Sequence, residues 1–277
     1  MQTPARLASW EGMDYERELQ FALRISRAAG AQARRIREQG ISAETKPDAS
    51  PVTIADKENE RLIREAIERE FPADGILGEE GSSKTGSSGR RWIIDPIDGT
   101  RDFVRGNRFW CVLVALEEAD ESLAGVAHFP MLNETYWASR GAGAYGGPEG
   151  EAARLRVSTI GSLSESVFSP DGLHLANARP HLARVVELMQ RCWAVRSYGG
   201  ALDGCLVAAG KAEIWFEPKV EVWDLAALKL IIEEAGGAFF ALDGSRSIAK
   251  GSAVACAPGV ETAVREALGI AARQAAK

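Results

Sequence analysis

The chain has 277 residues, 45% of them hydrophobic and 26% charged, and carries a net charge of −6 at pH 7. That length allows one large domain or two half-sized lobes, and the acidic balance argues against a duplex nucleic-acid partner, which a basic surface would serve. No apolar run approaches the ~20 residues of a membrane-spanning helix, and the N-terminus MQTPARLASWEGMDYERE lacks the apolar core of a signal peptide. The expectation is a cytoplasmic protein with neither a nucleic-acid nor a membrane partner. Cys111, Cys192, Cys205 and Cys256 are scattered with no C-x-x-C pair, which reads as buried free thiols.

Asp14 to Gly40 places Leu19, Ala22, Leu23, Ile25, Ala29, Ala33 and Ile36 at helical spacing, with Gly40 as the stop. A polar loop is predicted for Ser42 to Pro51, then an amphipathic helix over Asp56 to Phe71. The apolar pair Ile76-Leu77 runs into Gly78-Glu79-Glu80, and Gly81 to Gly89 (GSSKTGSSG) reads as a surface loop. Four strands follow: Trp92 to Ile94, Cys111 to Leu116, Leu123 to Phe129, and Thr135 to Ala138. Gly141 to Gly150 is turn-rich and reads as a seam between two lobes, about 1–148 and 149–277, of one domain.

The second half alternates helix and strand. Helices are predicted over Pro180 to Arg191, with Pro180 in the first turn, Leu202 to Ala209, Leu225 to Ala235 and Val260 to Leu268. Strands are predicted over Ala194 to Arg196, Ile214 to Phe216, Ala238 to Leu242 and Ala253 to Ala257. Mixed elements throughout mean a layered α/β or α+β fold.

Three acidic clusters stand out: Glu79-Glu80 past one strand, Asp95-Pro96-Ile97-Asp98-Gly99-Thr100 past another, and Trp223-Asp224 at the mouth of a helix. Pro96 cannot continue a central ladder, so the chain must turn there, and Asp98 comes within reach of Asp95. Gly99 and Thr100 open Arg101 to Val104, a short helix whose free N–H groups suit an anion. One turn thus offers carboxylates to a hard cation and amides to a phosphate, and such oxygen ligands suit Mg²⁺. The plainer alternative is that Asp98 caps a helix, Asp95 pairs with Arg101 and Asp224 is an N-cap. Against it, clustered carboxylates repel and call for a cation among them. The three histidines, His128, His174 and His181, have no nucleophile-elbow or zinc spacing.

Together, Glu79-Glu80, D-P-I-D-G-T at Asp95 to Thr100, W-D at Trp223-Asp224 and E-A-G-G at Glu234 to Gly237 resemble the inositol monophosphatase family. Five fixed residues of the D-P-x-D-G-T kind arise by chance on the order of once in a few million starts. The resemblance covers nearly the whole chain. It implies a layered α-β-α-β-α sandwich of the sugar-phosphatase type, two or three Mg²⁺ ions, a small phosphate ester as substrate, lithium sensitivity, and a homodimer among the possible assemblies.

Carried over by motif, the resemblance makes Glu79, Asp95, Asp98 and Asp224 the metal ligands, with the Ile97 carbonyl beside them. Thr100 and Asp56, the latter in V-T-I-A-D, orient the attacking water together with Glu79. The Gly99 and Thr100 amides hold the phosphate. Gly199, Gly200 and Glu217 lie on the substrate side, and Lys46 and Glu80 are accessory.

The stretches D-G-T-R-D-F-V-R-G at Asp98, R-S-Y-G at Arg196 and E-P-K-V-E-V-W-D-L at Glu217 are most similar to the histidinol-phosphate phosphatases of the family's bacterial branch. That branch often carries an aspartate where this chain has Gly200, with Asp203 three residues on. Glu217, Glu221 and Asp203 are the candidates for a substrate amine. Histidinol phosphate is the first substrate expectation and inositol 1-phosphate the second; a sugar bisphosphate or a phosphoadenosine phosphate is the third. An idle metal- or phosphate-binding regulator would have lost part of the set Asp56, Glu79, Asp95, Asp98, Thr100 and Asp224, which is intact. A structural interaction module would show no Mg²⁺-dependent stability.

Overall fold

A computed structural model describes residues 14–40, 42–45 and 51–271. Helix α1 (Glu16–Glu38) buries Leu19, Ala22, Ile25 and Ala29. The hairpin β1 (Ala43–Thr45) and β2 (Pro51–Thr53) pairs antiparallel where a plain loop was expected. Its first strand is exposed throughout, so it lacks the apolar alternation that marks a half-buried strand. Helix α2 (Ile54–Glu70) follows directly and buries Ile63 and Ile67.

The chain then builds its larger sheet. The strands are β3 (Gly75–Gly78), β4 (Ser83–Lys84) and β5 (Arg90–Asp98), then, after the short helix α3 (Thr100–Arg105), β6 (Cys111–Glu118), β7 (Glu121–Phe129), β8 (Glu134–Ser139), β9 (Gly143–Pro148) and β10 (Ala153–Arg154). Their order is β10-β9-β8-β7-β6-β5-β3-β4, with only β3 and β5 parallel. Strand β9 occupies the stretch expected to be a turn-rich seam. Its GAYGGP sequence carries little side chain to signal a strand, and its glycines admit neighbours: a Cβ at Gly146 would crowd the Tyr136 ring.

The remaining elements are β11 (Val167–Pro170), α4 (Leu182–Arg191), β12 (Ala194–Val195), α5 (Gly200–Ala208), β13 (Ile214–Glu217), α6 (Val222–Glu234), β14 (Ala238–Phe240), β15 (Ala253–Cys256) and α7 (Glu261–Leu268). Strand β11 has no counterpart in the sequence prediction, and Pro180 stands before α4 instead of in its first turn. The second sheet runs β12-β11-β13-β15-β14.

Alternation of side chains across the strands assembles the layers. Trp92, Ile94, Val112 and Val114 meet α1 and α2 on one face of the large sheet. Ile93, Leu113 and Ala115 point the other way, into α5, α6 and the inner face of the second sheet through Trp215 and Ala255. Phe168, Ile214, Phe216 and Val254 cover the far side against α4 and α7. The result is the expected α-β-α-β-α stack.

Helix α6 lies in the middle layer and is buried from Leu225 to Ile232, Lys229 included, as a helix apolar all round requires. It rests on β7 at Gly125, where a Cβ would sit 2.9 Å from Ala227 Cα. Among the described residues, no helix is long and apolar enough to cross a membrane. The four cysteines are free; Cys111, Cys205 and Cys256 are buried and Cys192 is half-buried.

Candidate active site

The cleft between the layers opens at the end of β5. That strand does not stop at Pro96, as the missing ladder donor suggested; it bulges. Asp95 lies opposite Leu113 and Asp98 opposite Cys111, so three steps along β5 match two along β6. Proline fits there because a bulge leaves a backbone group unpaired, and the extra residue brings two aspartates to one place. Asp95 Oδ1 accepts the Ile97 N–H at 3.0 Å, and the Asn59 amide donates to the Pro96 carbonyl at 3.3 Å, tying the bulge to α2. Gly99 has φ 82°, and a side chain there would also press on the Phe109 carbonyl, 3.2 Å from the Cβ position.

The start of α2 supplies the next group. Asp56 Oδ2 accepts both the N–H and the hydroxyl of Thr53, at 2.7 and 2.6 Å, closing a capping box. Its Oδ1 accepts the Thr100 hydroxyl at 3.3 Å, which also reaches the Ile97 carbonyl at 3.1 Å. Burial pushes the Asp56 carboxyl above its ordinary range. One turn along the same helix, Glu60 is 3% exposed and accepts the backbone N–H groups of Glu80 and Ser82, each at 2.7 Å. Glu60 therefore holds the loop that presents Glu79. Its signal in the sequence is an acid in line with Ile63 and Ile67 on the apolar face of α2.

Asp224 comes from the start of α6. It is the third helical residue, not the N-cap; the N-cap is the exposed Glu221, whose N–H donates to Asp224 Oδ2 at 2.7 Å. Carboxylate oxygens of Asp95, Asp98 and Asp224 lie within 4.8 Å of one another, and Glu79 lines the same cleft. Asp98 is not the N-cap of α3, since Gly99 holds that position. Among the described residues, no basic side chain forms an ion pair with the three aspartates.

Loss of water around these carboxyls, then their mutual repulsion, raises Asp95 well above the usual range and Asp224 to about 8. Asp98 rises to about 7 for the first reason, against the pull of the Ala201 N–H. Hard oxygen donors crowded in this way fit a divalent cation that takes carboxylates and water.

The cleft encloses about 440 Å³. On its substrate side, Glu217 is 7% exposed, and Gly199 and Gly200 line the wall. Their amides are already engaged: Gly199 N–H donates to Asp203 at 3.2 Å and Gly200 N–H to Asp171 at 3.0 Å. They can shape the cleft but offer no free donor to a phosphate.

Asp203, a candidate for an amine, is fully buried and turned onto the Tyr198 and Gly199 N–H groups. Burial raises it to about 6 against those bonds. Asp171 was not foreseen; it follows β11, the strand that the sequence reading also lacks. Phe109 lines the cleft, whereas Trp110 is buried edge-on against Phe103, ring centres 5.0 Å apart. Lys46 lies outside the described residues.

A five-layer sandwich with a carboxylate cluster facing a hydroxyl–carboxylate pair defines a metal-dependent phosphatase. The comparisons agree. The profile of the inositol monophosphatase family matches residues 14–276, and the chain belongs to that family of phosphoric monoester hydrolases. It is 45% identical over 217 residues to the histidinol-phosphatase of Mycobacterium tuberculosis, covering 78% of this chain and 83% of that one. It is 36% identical to an inositol-1-monophosphatase of Rhizobium meliloti over 83% of this chain and 87% of the relative. The extragenic suppressor protein SuhB of Bartonella henselae superposes with a TM-score of 0.85 at 29% identity, covering 91% of this chain and 98% of that one.

Proposed function

We propose that the chain is a Mg²⁺-dependent phosphomonoesterase that hydrolyses L-histidinol phosphate to L-histidinol and phosphate. The observation that carries the reaction class is the convergence of Asp95, Asp98 and Asp224 within 4.8 Å, next to Thr100 and Asp56. The substrate rests on the histidinol-phosphatase relative at 45% identity and on the acidic wall around Glu217.

Asp95, Asp98, Asp224, Glu79 and the Ile97 carbonyl are the groups to hold Mg²⁺, with Lys46 and Glu80 accessory. Bound Mg²⁺ supplies a lowered water pKa and charge neutralisation at the phosphoryl group and the leaving oxygen. The chain's own residues do the rest. The Thr100 hydroxyl, held toward Asp56, orients the attacking water, and the pair takes up its proton. The water oxygen forms the new P–O bond as the ester P–O bond breaks, and the departing alkoxide is protonated from solvent. The Gly99 and Thr100 amides face the equatorial oxygens, where charge accumulates.

The experiment is phosphate release from L-histidinol phosphate and inositol 1-phosphate in parallel, with Mg²⁺ and with chelator. Preference for histidinol phosphate, abolished by chelator, is expected. Preference for inositol phosphate transfers the assignment to the second reading, which the Rhizobium relative favours.

A further inference from the structure

Strands β11 and β13 run parallel with Phe168 beside Ile214, Ser169 beside Trp215 and Pro170 beside Phe216. The Asp171 N–H continues the ladder to the Phe216 carbonyl at 2.9 Å, so the register sets Asp171 beside Glu217. The turn is close. Glu217 Oε1 lies 3.1 Å from where a side chain at Gly172 would begin, and Gly172 has φ 63°. Both Asp171 and Glu217 line the cleft that holds the aspartate cluster.

Glu217 is more than nine-tenths buried, and its Oε2 has no hydrogen-bond partner. A buried carboxylate oxygen left without a donor is costly, and Glu217 lines a cleft that a ligand can enter. Asp171 uses one lone pair of Oδ1 on the Gly172 N–H at 2.6 Å and one of Oδ2 on the Gly200 N–H at 3.0 Å. An ionised carboxylate accepts about four bonds, so capacity remains. Burial, and then the charge of Asp171, push the Glu217 carboxyl well above its ordinary range. The basic residues of the cleft, Arg101, His174 and Lys219, are exposed. Among the described residues, none forms an ion pair with Asp171 or Glu217.

We propose that Asp171 and Glu217 form a cation subsite that takes the protonated amine of an amino-alcohol phosphate, with Asp171 its specificity-determining residue. The inference rests on the reading of an amine-bearing substrate and names a residue that reading did not include. An ammonium has three donors and no acceptor. It satisfies Glu217 Oε2 and the spare lone pairs of Asp171 together. A neutral polyol has no charge to offset theirs.

The test compares L-histidinol phosphate with the imidazolylpropyl phosphate that lacks its amine. The wild type is expected to favour the amine ester by about 10- to 100-fold in kcat/KM, the size of a charge-assisted contact. Asp171→Asn and Glu217→Gln should each bring that ratio near one, with the change in the KM of the amine ester. A wild-type preference that survives in Asp171→Asn overturns the role of Asp171 and leaves the histidinol phosphate assignment standing. A wild type that treats the two esters alike and works faster on inositol 1-phosphate removes both. Should Asp171→Asn fail to fold, by its circular dichroism and melting, Glu217→Gln decides: a retained preference there overturns the subsite.

Discussion

Glu60 and Glu80 meet through a backbone bond: the buried Glu60 carboxylate accepts the Glu80 N–H at 2.7 Å and, on its other oxygen, the Ser82 N–H. The acid is not among the residues that line the cleft, but it sets the path of the loop carrying Glu79. Glu60→Ala is expected to weaken Mg²⁺ binding and to lower kcat/KM by about 10- to 100-fold, as outer-sphere losses do. Activity titrated against Mg²⁺ checks this. Wild-type Mg²⁺ dependence in the variant would show that the loop holds itself.

Asp95 sits in a cluster whose charges repel when no cation is present. Asp95→Asn removes one of them and one proposed ligand. In chelator the variant should melt above the wild type, and with Mg²⁺ the order should reverse, because ligand binding adds about 2.7 kcal/mol at a hundred times Kd. Activity should fall to near background. A Mg²⁺-induced melting shift as large in the variant as in the wild type would contradict the ligand assignment.

Asp74 is 1% exposed and anchors the opposite end of β5 from the cleft. It accepts two bonds from Arg90, at 3.3 and 3.1 Å, and one from Trp92 Nε1 at 3.1 Å; Arg90 also reaches Glu18 of α1 at 2.9 Å. Asp74→Ala leaves the part-buried Arg90 guanidinium with Glu18 alone and the Trp92 indole without a partner, so it should cost about 3 kcal/mol in urea unfolding. The kcat of the folded variant should hold. A loss under 1 kcal/mol would mean that water replaces the carboxylate.

His128 is half-buried, with Nδ1 2.9 Å from the Thr135 hydroxyl. Burial, and then the charge of Arg27, lower its pKa from 6.5 to about 4. The unfolded chain therefore binds a proton that the folded one refuses between those values. The stability at stake is fully present above pH 6.5 and is lost as pH falls toward 4, by up to about 3 kcal/mol. His128→Gln should flatten the unfolding free energy over that window. Parallel pH profiles for the two proteins would remove His128 as the cause.

The sequence reading reached the five layers because long amphipathic helices and fully apolar strands such as Cys111 to Leu116 have periods that tertiary context rarely overrides. It reached the acid cluster because three of its members sit in compact motifs. It missed the hairpin at Ala43–Thr45 and strand β9, where exposure in one case and glycine in the other erase the pattern. It made Asp203 a candidate for a substrate amine because spacing does not say that Tyr198 and Gly199 would turn their N–H groups onto it. It passed over Asp171 because that residue is a neighbour of Glu217 only through the parallel pairing of β11 and β13, far apart in the chain.

The contact between Gly125 and Ala227 bears on how this fold can vary. At Gly125 strand β7 puts no side chain of its own between itself and helix α6, so the height of the helix above the sheet at this point is set by the close approach of the two backbones. Even an alanine at 125 would lift the helix and tilt Asp224 away from Asp95 and Asp98. Sequence drift in the core is thus tightly coupled to the alignment of the aspartate cluster at this crossing, while the wall that carries Asp171 and Glu217, borne by β11 and β13 of the other sheet, is free to change its chemistry.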